Sequence, residues 1–463
     1  VLLAKDTRES SDLLEAALAA GLMSQGVRVE HLGVLPTPGV AHLTKALKAT
    51  AGAVISASHN PYQDNGIKFF GPTGEKLPDE AEEEIERLLL EDHPTRGIGT
   101  VGDFREAERM YLDFLLAHAP DLTGLKVGLD LAHGATYRIG PKLFQKAGAE
   151  VMAFFNTPDG RNINRGCGST HPEALSRFVV ELGLDLGLAF DGDGDRVQFI
   201  DRKGRLFHGD HVLYLAALAF GEKGVVGTVM SNMALEVALK ERGLAFHRAA
   251  VGDRYVLEKL KETGLALGGE PSGHVIFLRH HTTGDGLLTA LLTLKALKAL
   301  GGDLADWYEA LPPYPQVILN VRVSDKAKVM ADPRLGEAVR EAEARLGGRG
   351  RVNVRPSGTE PVIRVMVEAE EWAEEAAREL VRLANELGAA VVTNEAGQIV
   401  SLTPFGQTLF NPITTIVLFL ATLGFVFFMS FRVQTLSVGT ANVLFYVYSA
   451  LMGLVVSSIF LVY

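Results

Sequence analysis

Six consecutive residues, Asp191-Gly192-Asp193-Gly194-Asp195-Arg196, follow the apolar run 184–190 and set carboxylates at alternate positions of an extended loop. Alternation turns them to one side, and the glycines between them let the backbone curl, so three oxygen ligands can face one hard cation. Mg²⁺ suits that set, because three aspartates leaving a buried strand repel one another without a counter-ion. A solvated acidic turn is the plain alternative. A second stretch ends in a hydroxyl. Ala53-Val54-Ile55-Ser56 reads as a buried strand running into Ala57-Ser58-His59-Asn60-Pro61, closed by Asp64-Asn65-Gly66-Ile67-Lys68, so the strand stops and presents Ser58 on a tight loop. Taken alone Ser58 is a capping hydroxyl. Beside the acidic loop it becomes a candidate carrier of phosphate.

Two further loops fit such chemistry. Gly268-Gly269-Glu270-Pro271-Ser272-Gly273-His274 groups a carboxylate, a hydroxyl and an imidazole. Glu270 and Ser272 can hold vicinal sugar hydroxyls, and His274 can exchange a proton with an attacking hydroxyl; a hairpin turn is the alternative. Arg355-Pro356-Ser357-Gly358-Thr359-Glu360 offers an arginine fork, two hydroxyls and backbone N–H groups around Gly358, an anion cradle that Arg364 on the following strand would complete. An ordinary connecting turn is the alternative there. Three aspartates, a doubly charged phosphoserine and one Mg²⁺ leave about −3, which only cations can offset. Arg8, Lys68 and Arg196, each next to a motif, are the candidates, and His59 and Asn60 on the serine loop are candidate substrate contacts.

These loops need strands to hold them. Residues 1–4 read as a strand, 12–24 as an amphipathic helix stopped by Gly26, and 27–32 as the next strand. The unit recurs at 126–155 and 225–247, which implies three α/β domains with mixed or parallel sheets. Residues 317–323, 351–354 and 362–368 alternate like antiparallel strands, with helices expected over 332–346 and 371–387, giving a smaller α+β fourth domain. An acid-rich helix over 79–92 should turn its leucines inward. The predicted domains are 1–104, 105–206, 207–312 and 313–388, then a linker 389–411 and a membrane segment 412–463.

Length and charge bound the rest. The chain has 463 residues, a net charge of −11 and no basic run, which argues against a nucleic-acid binder. Its one cysteine, Cys167, excludes an intrachain disulfide and suits a reducing compartment. No secretory signal opens it, so residues 1–388 are expected in the cytoplasm. After Glu395 the only charged residue is Arg432. The apolar runs 413–431 and 441–463 are each long enough to span a bilayer, which makes membrane contact an expectation for 412–463 alone.

Together the four loops resemble the α-D-phosphohexomutase superfamily, in its order and one per domain. Asn162-Ile163-Asn164 with Cys167-Gly168-Ser169-Thr170-His171, Val251-Gly252-Asp253-Arg254-Tyr255-Val256 and Thr282-Thr283-Gly284-Asp285-Gly286 are similar to its phosphoglucosamine mutase branch. The resemblance implies a heart-shaped enzyme with four domains around a central cleft, interconverting glucosamine 6-phosphate and glucosamine 1-phosphate through a phosphoserine and glucosamine 1,6-bisphosphate, which also serves as primer. It implies phosphorylation of Ser58, Mg²⁺ on Asp191, Asp193 and Asp195 and touching the Ser58 phosphate, sugar reading by Glu270 and Ser272, and a phosphate grip by Arg355, Ser357 and Thr359. The general base stays open between His274 and Lys68. A mannose or glucose phosphate mutase is the alternative within the class, and an inactive soluble module on a membrane protein the alternative outside it. In the family a strand with a glycine-threonine-aspartate-glycine turn and a helix precede the strand that here begins at Val1, so a bare sheet edge and a thinner site wall are expected. Residues 436–440 and 448–453 resemble spans of the Bax-inhibitor family, and the tail reads as a piece of a second reading frame joined to the first.

Overall fold

The structure is a computed structural model that describes residues 1–91, 93–323, 325–356, 362–386, 389–394 and 399–402. The chain divides into two compact units, Val1–Pro313 and Tyr314–Tyr463.

Three sheets build the first unit. In the first, the strands run Ile67–Phe70, Gly52–Ile55, Leu2–Lys5, Val29–Val34, Val101–Asp103. All neighbours are parallel except Ile67–Phe70, which pairs antiparallel with Val54 opposite Lys68. Ala53, Val54 and Ile55 are buried on both faces because helices cover the sheet on each side, which is why the strand reads as an unbroken apolar run. The helix Ser11–Ser24 ends where Gly26 takes φ +80°. Val101–Asp103 is an outer strand and leaves Val101 half-exposed.

The second sheet orders Leu206–Phe207, Val197–Asp201, Leu186–Phe190, Lys126–Asp130 and Glu150–Phe154. Here Leu186–Phe190 and Val197–Asp201 form an antiparallel hairpin whose closing pair, Phe190 and Val197, brackets the acidic loop. The third orders Ala245–Ala249, Gly224–Thr228, Leu267–Gly269 and Val275–Phe277, the last two antiparallel and joined by the loop of Glu270. In the first unit each chemistry-bearing loop therefore leaves the carboxyl end of an interior strand, where the backbone is free to face a ligand.

The second unit is an antiparallel sheet of Gly350–Pro356, Val362–Ala369, Gln316–Val323, Ala389–Asn394 and Ile399–Leu402. Val321, Ile363, Val365 and Val367 pack under Leu335 and Leu380 of the helices Pro333–Leu346 and Ala373–Glu386. Two expectations are corrected. The stretch read as a linker from 389 supplies two strands, because its β-branched run pairs with the free side of Gln316–Val323. The acid-rich helix stops at Leu88, so Leu89 and Leu90 stand 78% and 89% exposed rather than inward. Among the described residues no helix is long and apolar enough to cross a membrane; the predicted spans in 412–463 lie outside them.

Candidate active site

The acidic hairpin loop sits against the serine loop. Ser58 Oγ donates to Asp191 Oδ2 at 2.6 Å, across the boundary between the first two sheets. Carboxylate oxygens of Asp191, Asp193 and Asp195 lie within 4.8 Å of one another, and all three side chains are buried. Asp193 Oδ1 and Asp195 Oδ1 are buried and have no hydrogen-bond partner in the protein. Such orphaned anionic oxygens are costly unless something compensates them, and a set of hard oxygens aimed at one point fits a divalent cation such as Mg²⁺.

The protein supplies part of the compensation. Lys68 Nζ lies 2.6 Å from Asp193 Oδ2 and 3.3 Å from Asp195 Oδ2, delivered by the edge strand Ile67–Phe70. Burial alone would lower the Lys68 pKa, but the Asp193 and Asp195 charges outweigh it and hold the ammonium protonated. Burial would raise Asp193 and Asp195 as well, yet Lys68 draws both below the usual carboxylate range. Asp191 goes the other way: burial, then repulsion from Asp195 and Asp193, push it well up. Arg196 turns its backbone N–H to Asp191 Oδ1 at 3.2 Å and its Nε to within 3.9 Å of Asp195. Thr37 was not singled out in the sequence, yet its hydroxyl donates to Asp193 Oδ2 at 2.5 Å and its N–H to the Asp193 carbonyl at 2.9 Å. No local pattern marks a threonine whose partner lies 156 residues away.

Arg8 stands behind the serine loop. Its guanidinium pairs with Asp6 and donates to the carbonyls of Asn60 at 2.6 Å and Ser58 at 3.3 Å. His59 keeps a buried Nδ1 without a partner, and burial, followed by the Arg196 charge, lowers its pKa. Asn60 turns its amide to Asp64 at 3.0 Å.

The third loop joins the same place through the acidic hairpin. Val197 donates its N–H to the Gly273 carbonyl at 3.2 Å, and Gly286 donates to the Gly194 carbonyl at 3.0 Å. Glu270 is buried, with Oε1 accepting from the Gly252 N–H at 3.0 Å. Ser272 Oγ and both ring nitrogens of His274 are buried without hydrogen-bond partners. His274 Nε2 lies 3.6 Å from Asp253 Oδ2, and a Cβ at Gly284 would stand 2.4 Å from the imidazole, so only glycine leaves the ring its seat. The fourth motif belongs to the second unit. Arg355 and Arg364 face each other across the pair Gly350–Pro356 and Val362–Ala369. Ser357, Gly358 and Thr359 lie outside the described residues.

Comparison with known proteins follows the same four pieces. Phosphoglucomutase/phosphomannomutase domain models match residues 1–96 (domain I), 109–204 (domain II), 208–314 (domain III) and 318–386 (C-terminal domain). A phosphoglucosamine mutase of Thermus thermophilus is 99% identical over 380 residues, covering 82% of this chain and 87% of that protein. The chain belongs to the phosphoglucosamine mutase family. It is therefore an isomerase with the four-domain phosphohexomutase fold. The phosphoglucosamine mutase of Deinococcus radiodurans is 57% identical over 397 residues, 84% of this chain and 89% of its own. Among solved structures, a phosphoglucomutase/phosphomannomutase family protein of Burkholderia thailandensis superposes with a TM-score of 0.70 at 25% identity, over 84% of this chain and 90% of its own. The four domain models end at residue 386, so the resemblance of the tail to the Bax-inhibitor family rests on its sequence strings alone.

Proposed function

We propose that this phosphoglucosamine mutase family member interconverts glucosamine 6-phosphate and glucosamine 1-phosphate, with Ser58 carrying the phosphoryl group. The hydrogen bond from Ser58 Oγ to Asp191, at 2.6 Å inside a cluster of three buried carboxylates, carries this reading. Phospho-Ser58 gives its phosphoryl group to the free hydroxyl of the sugar phosphate, forming the 1,6-bisphosphate and releasing the serine oxygen. After the bisphosphate turns round, Ser58 Oγ takes the other phosphoryl group and the isomeric monophosphate leaves. Asp191, Asp193 and Asp195, with the serine phosphate, would hold Mg²⁺, which when bound supplies positive charge against the oxygens of the transferring group.

The chain's own residues do the rest. Lys68 and Arg196 add fixed positive charge beside the carboxylates. A lysine held protonated cannot accept the proton of the attacking hydroxyl, which favours His274 as the base. Glu270 and Ser272 would read the sugar hydroxyls. His59 and Asn60 would contact the substrate from the serine loop, and Arg355, Ser357, Gly358, Thr359 and Arg364 would grip the phosphate that is not reacting. Its one thiol, Cys167, is buried and unpaired, which suits work in the cytoplasm.

Ser58→Ala should abolish turnover in a coupled assay started with glucosamine 6-phosphate and its 1,6-bisphosphate, and mass spectrometry should find a single phosphate on Ser58 of the wild-type chain. Retained turnover in the variant would remove the reading. Relative kcat/KM on the glucosamine, mannose and glucose phosphates tests the choice of sugar.

A further inference from the structure

The serine loop must be held in two frames at once, its own sheet and the sheet that carries the metal ligands. Ser58 takes φ +52°, in the left-handed region that a residue with a Cβ occupies only when its surroundings impose it. Two donors converge on the carbonyl oxygens of Ser58 and Asn60. One is Arg8, from the same domain. The other is Asn164, from the second domain, whose Nδ2 donates to Ser58 O at 2.9 Å and to Asn60 O at 3.0 Å.

Asn164 is itself firmly seated. It is 7% exposed, takes φ +57°, and donates its N–H to the Ala132 carbonyl at 2.9 Å. Ala132 and His133 are also left-handed, at φ +51° and +50°. Asp130 fixes that turn by accepting from the N–H groups of Ala132 at 2.9 Å and Gly168 at 2.8 Å. From the first domain the Thr7 hydroxyl donates to the His133 carbonyl at 2.5 Å. The metal loop abuts the same point: a Cβ on Gly192 would stand 2.6 Å from Ser58 O and 2.8 Å from Asn164 Nδ2. Gly192 is thus glycine so that the serine loop, the amide and the acidic hairpin can touch.

We propose that Asn164 is a positioning residue, an amide clasp that locks the serine loop onto the metal-bearing domain and so keeps the reacting oxygen in line with Asp191. This rests on the reading of Ser58 as phosphoryl carrier. The residue type follows from the geometry. One uncharged nitrogen with two N–H donors satisfies two carbonyls, and asparagine tolerates a positive φ. An aspartate of the same shape would set acceptors against acceptors. Arg8 cannot substitute, since it ties the loop only to its own domain and leaves the span from Ser58 to Asp191 unset.

The test uses the full chain with Asn164→Asp, which keeps the shape and loses the donors, and Asn164→Gly, which keeps the backbone freedom and loses the side chain. A displacement of about 1 Å costs on the order of 100-fold in rate. Both variants should therefore lose about 100-fold in kcat while KM for glucosamine 6-phosphate moves less than about threefold. Amide exchange at residues 57–60 should quicken about tenfold, with exchange in Leu186–Phe190 unchanged. Either variant keeping kcat within about twofold of wild type, or an unchanged exchange rate in the serine loop, overturns the clasp. Should Asn164→Asp fail to fold, Asn164→Gly decides alone. Ser58→Ala separates the two ideas: full turnover in that variant removes the carrier, whereas its inactivity beside unaltered Asn164 variants removes only the clasp.

Discussion

One ammonium serves two buried carboxylates at Lys68, while Asp191 a few ångströms away has none so close among the described residues. The directions of their shifts follow from that arrangement: Asp193 and Asp195 stay ionised because the lysine outweighs their burial, and Asp191 is driven up. Replacing Lys68 by methionine keeps the stem and removes the charge, so all three carboxylates would then repel. Breaking a buried pair from one side costs about 3 kcal/mol or more, and Lys68→Met should lower the stability of the metal-free chain by that order. The sign with pH is fixed. Carboxylates whose folded pKa lies above the unfolded value add stability while protonated and lose it as pH rises, so the deficit should be smaller at pH 5 than at pH 8. Urea unfolding in chelator at the two pH values checks it, and an equal deficit at both would mean that the lysine acts by packing alone.

The helices Thr37–Ala46 and Ala107–Leu116 meet through rings rather than charges. His42 stacks on Phe114 at 4.0 Å, and His281 Nε2 donates to the Pro38 carbonyl at 3.0 Å. Burial, then Lys45 and His118, pulls His42 down to about 4; burial outweighs the Pro38 contact and pulls His281 to about 3. Neighbouring His118 is lowered too, by burial, then His280 and Lys295, and His280 by burial, then Lys295 and Arg279. Histidines neutral in the folded chain and protonated in the unfolded one cost stability as pH falls. His42 and His281 each contribute up to about 1.4 kcal/mol per pH unit between their unfolded and folded values. His42→Phe keeps the stack and should flatten the loss of stability between pH 6.5 and pH 4, read from urea midpoints; an unchanged acid limb would place the sensitivity elsewhere. Elements of this kind were legible because both-face burial writes continuous apolar runs, as in Ala53-Val54-Ile55, and because the acidic and serine loops break those runs with residues that chemistry needs. Thr37 was not legible, and Asn164 stood out only within a family string, without its role. Their roles lie in bonds to atoms more than a hundred residues distant, and nothing in a local window records such a partner. The strand Ala389–Asn394 was not legible either, because its partner Gln316–Val323 lies some seventy residues earlier in the chain.

At the scale of the first unit, three domains lean on one carboxylate hairpin. Thr37 of the first donates its N–H to the Asp193 carbonyl at 2.9 Å, while Gly286 of the third bonds Gly194 at 3.0 Å and Gly273 accepts from Val197 at 3.2 Å. A ligand that settles the hairpin settles all three, so binding free energy there should appear as stability of the whole of Val1–Pro313. Magnesium at about a hundred times its Kd should add about 2.7 kcal/mol, seen as a higher unfolding midpoint and slower exchange in the central strands of all three sheets. Asp191→Asn reverses the balance. Without metal the variant loses the carboxylate that burial and its neighbours penalise most, so at pH 8 it should be more stable than the parent chain; with Mg²⁺ it lacks a ligand and should gain little. The two midpoints therefore cross as the cation is titrated in, the parent overtaking the variant. Parallel curves, with the same magnesium gain in both chains, would mean that the hairpin does not hold the ion.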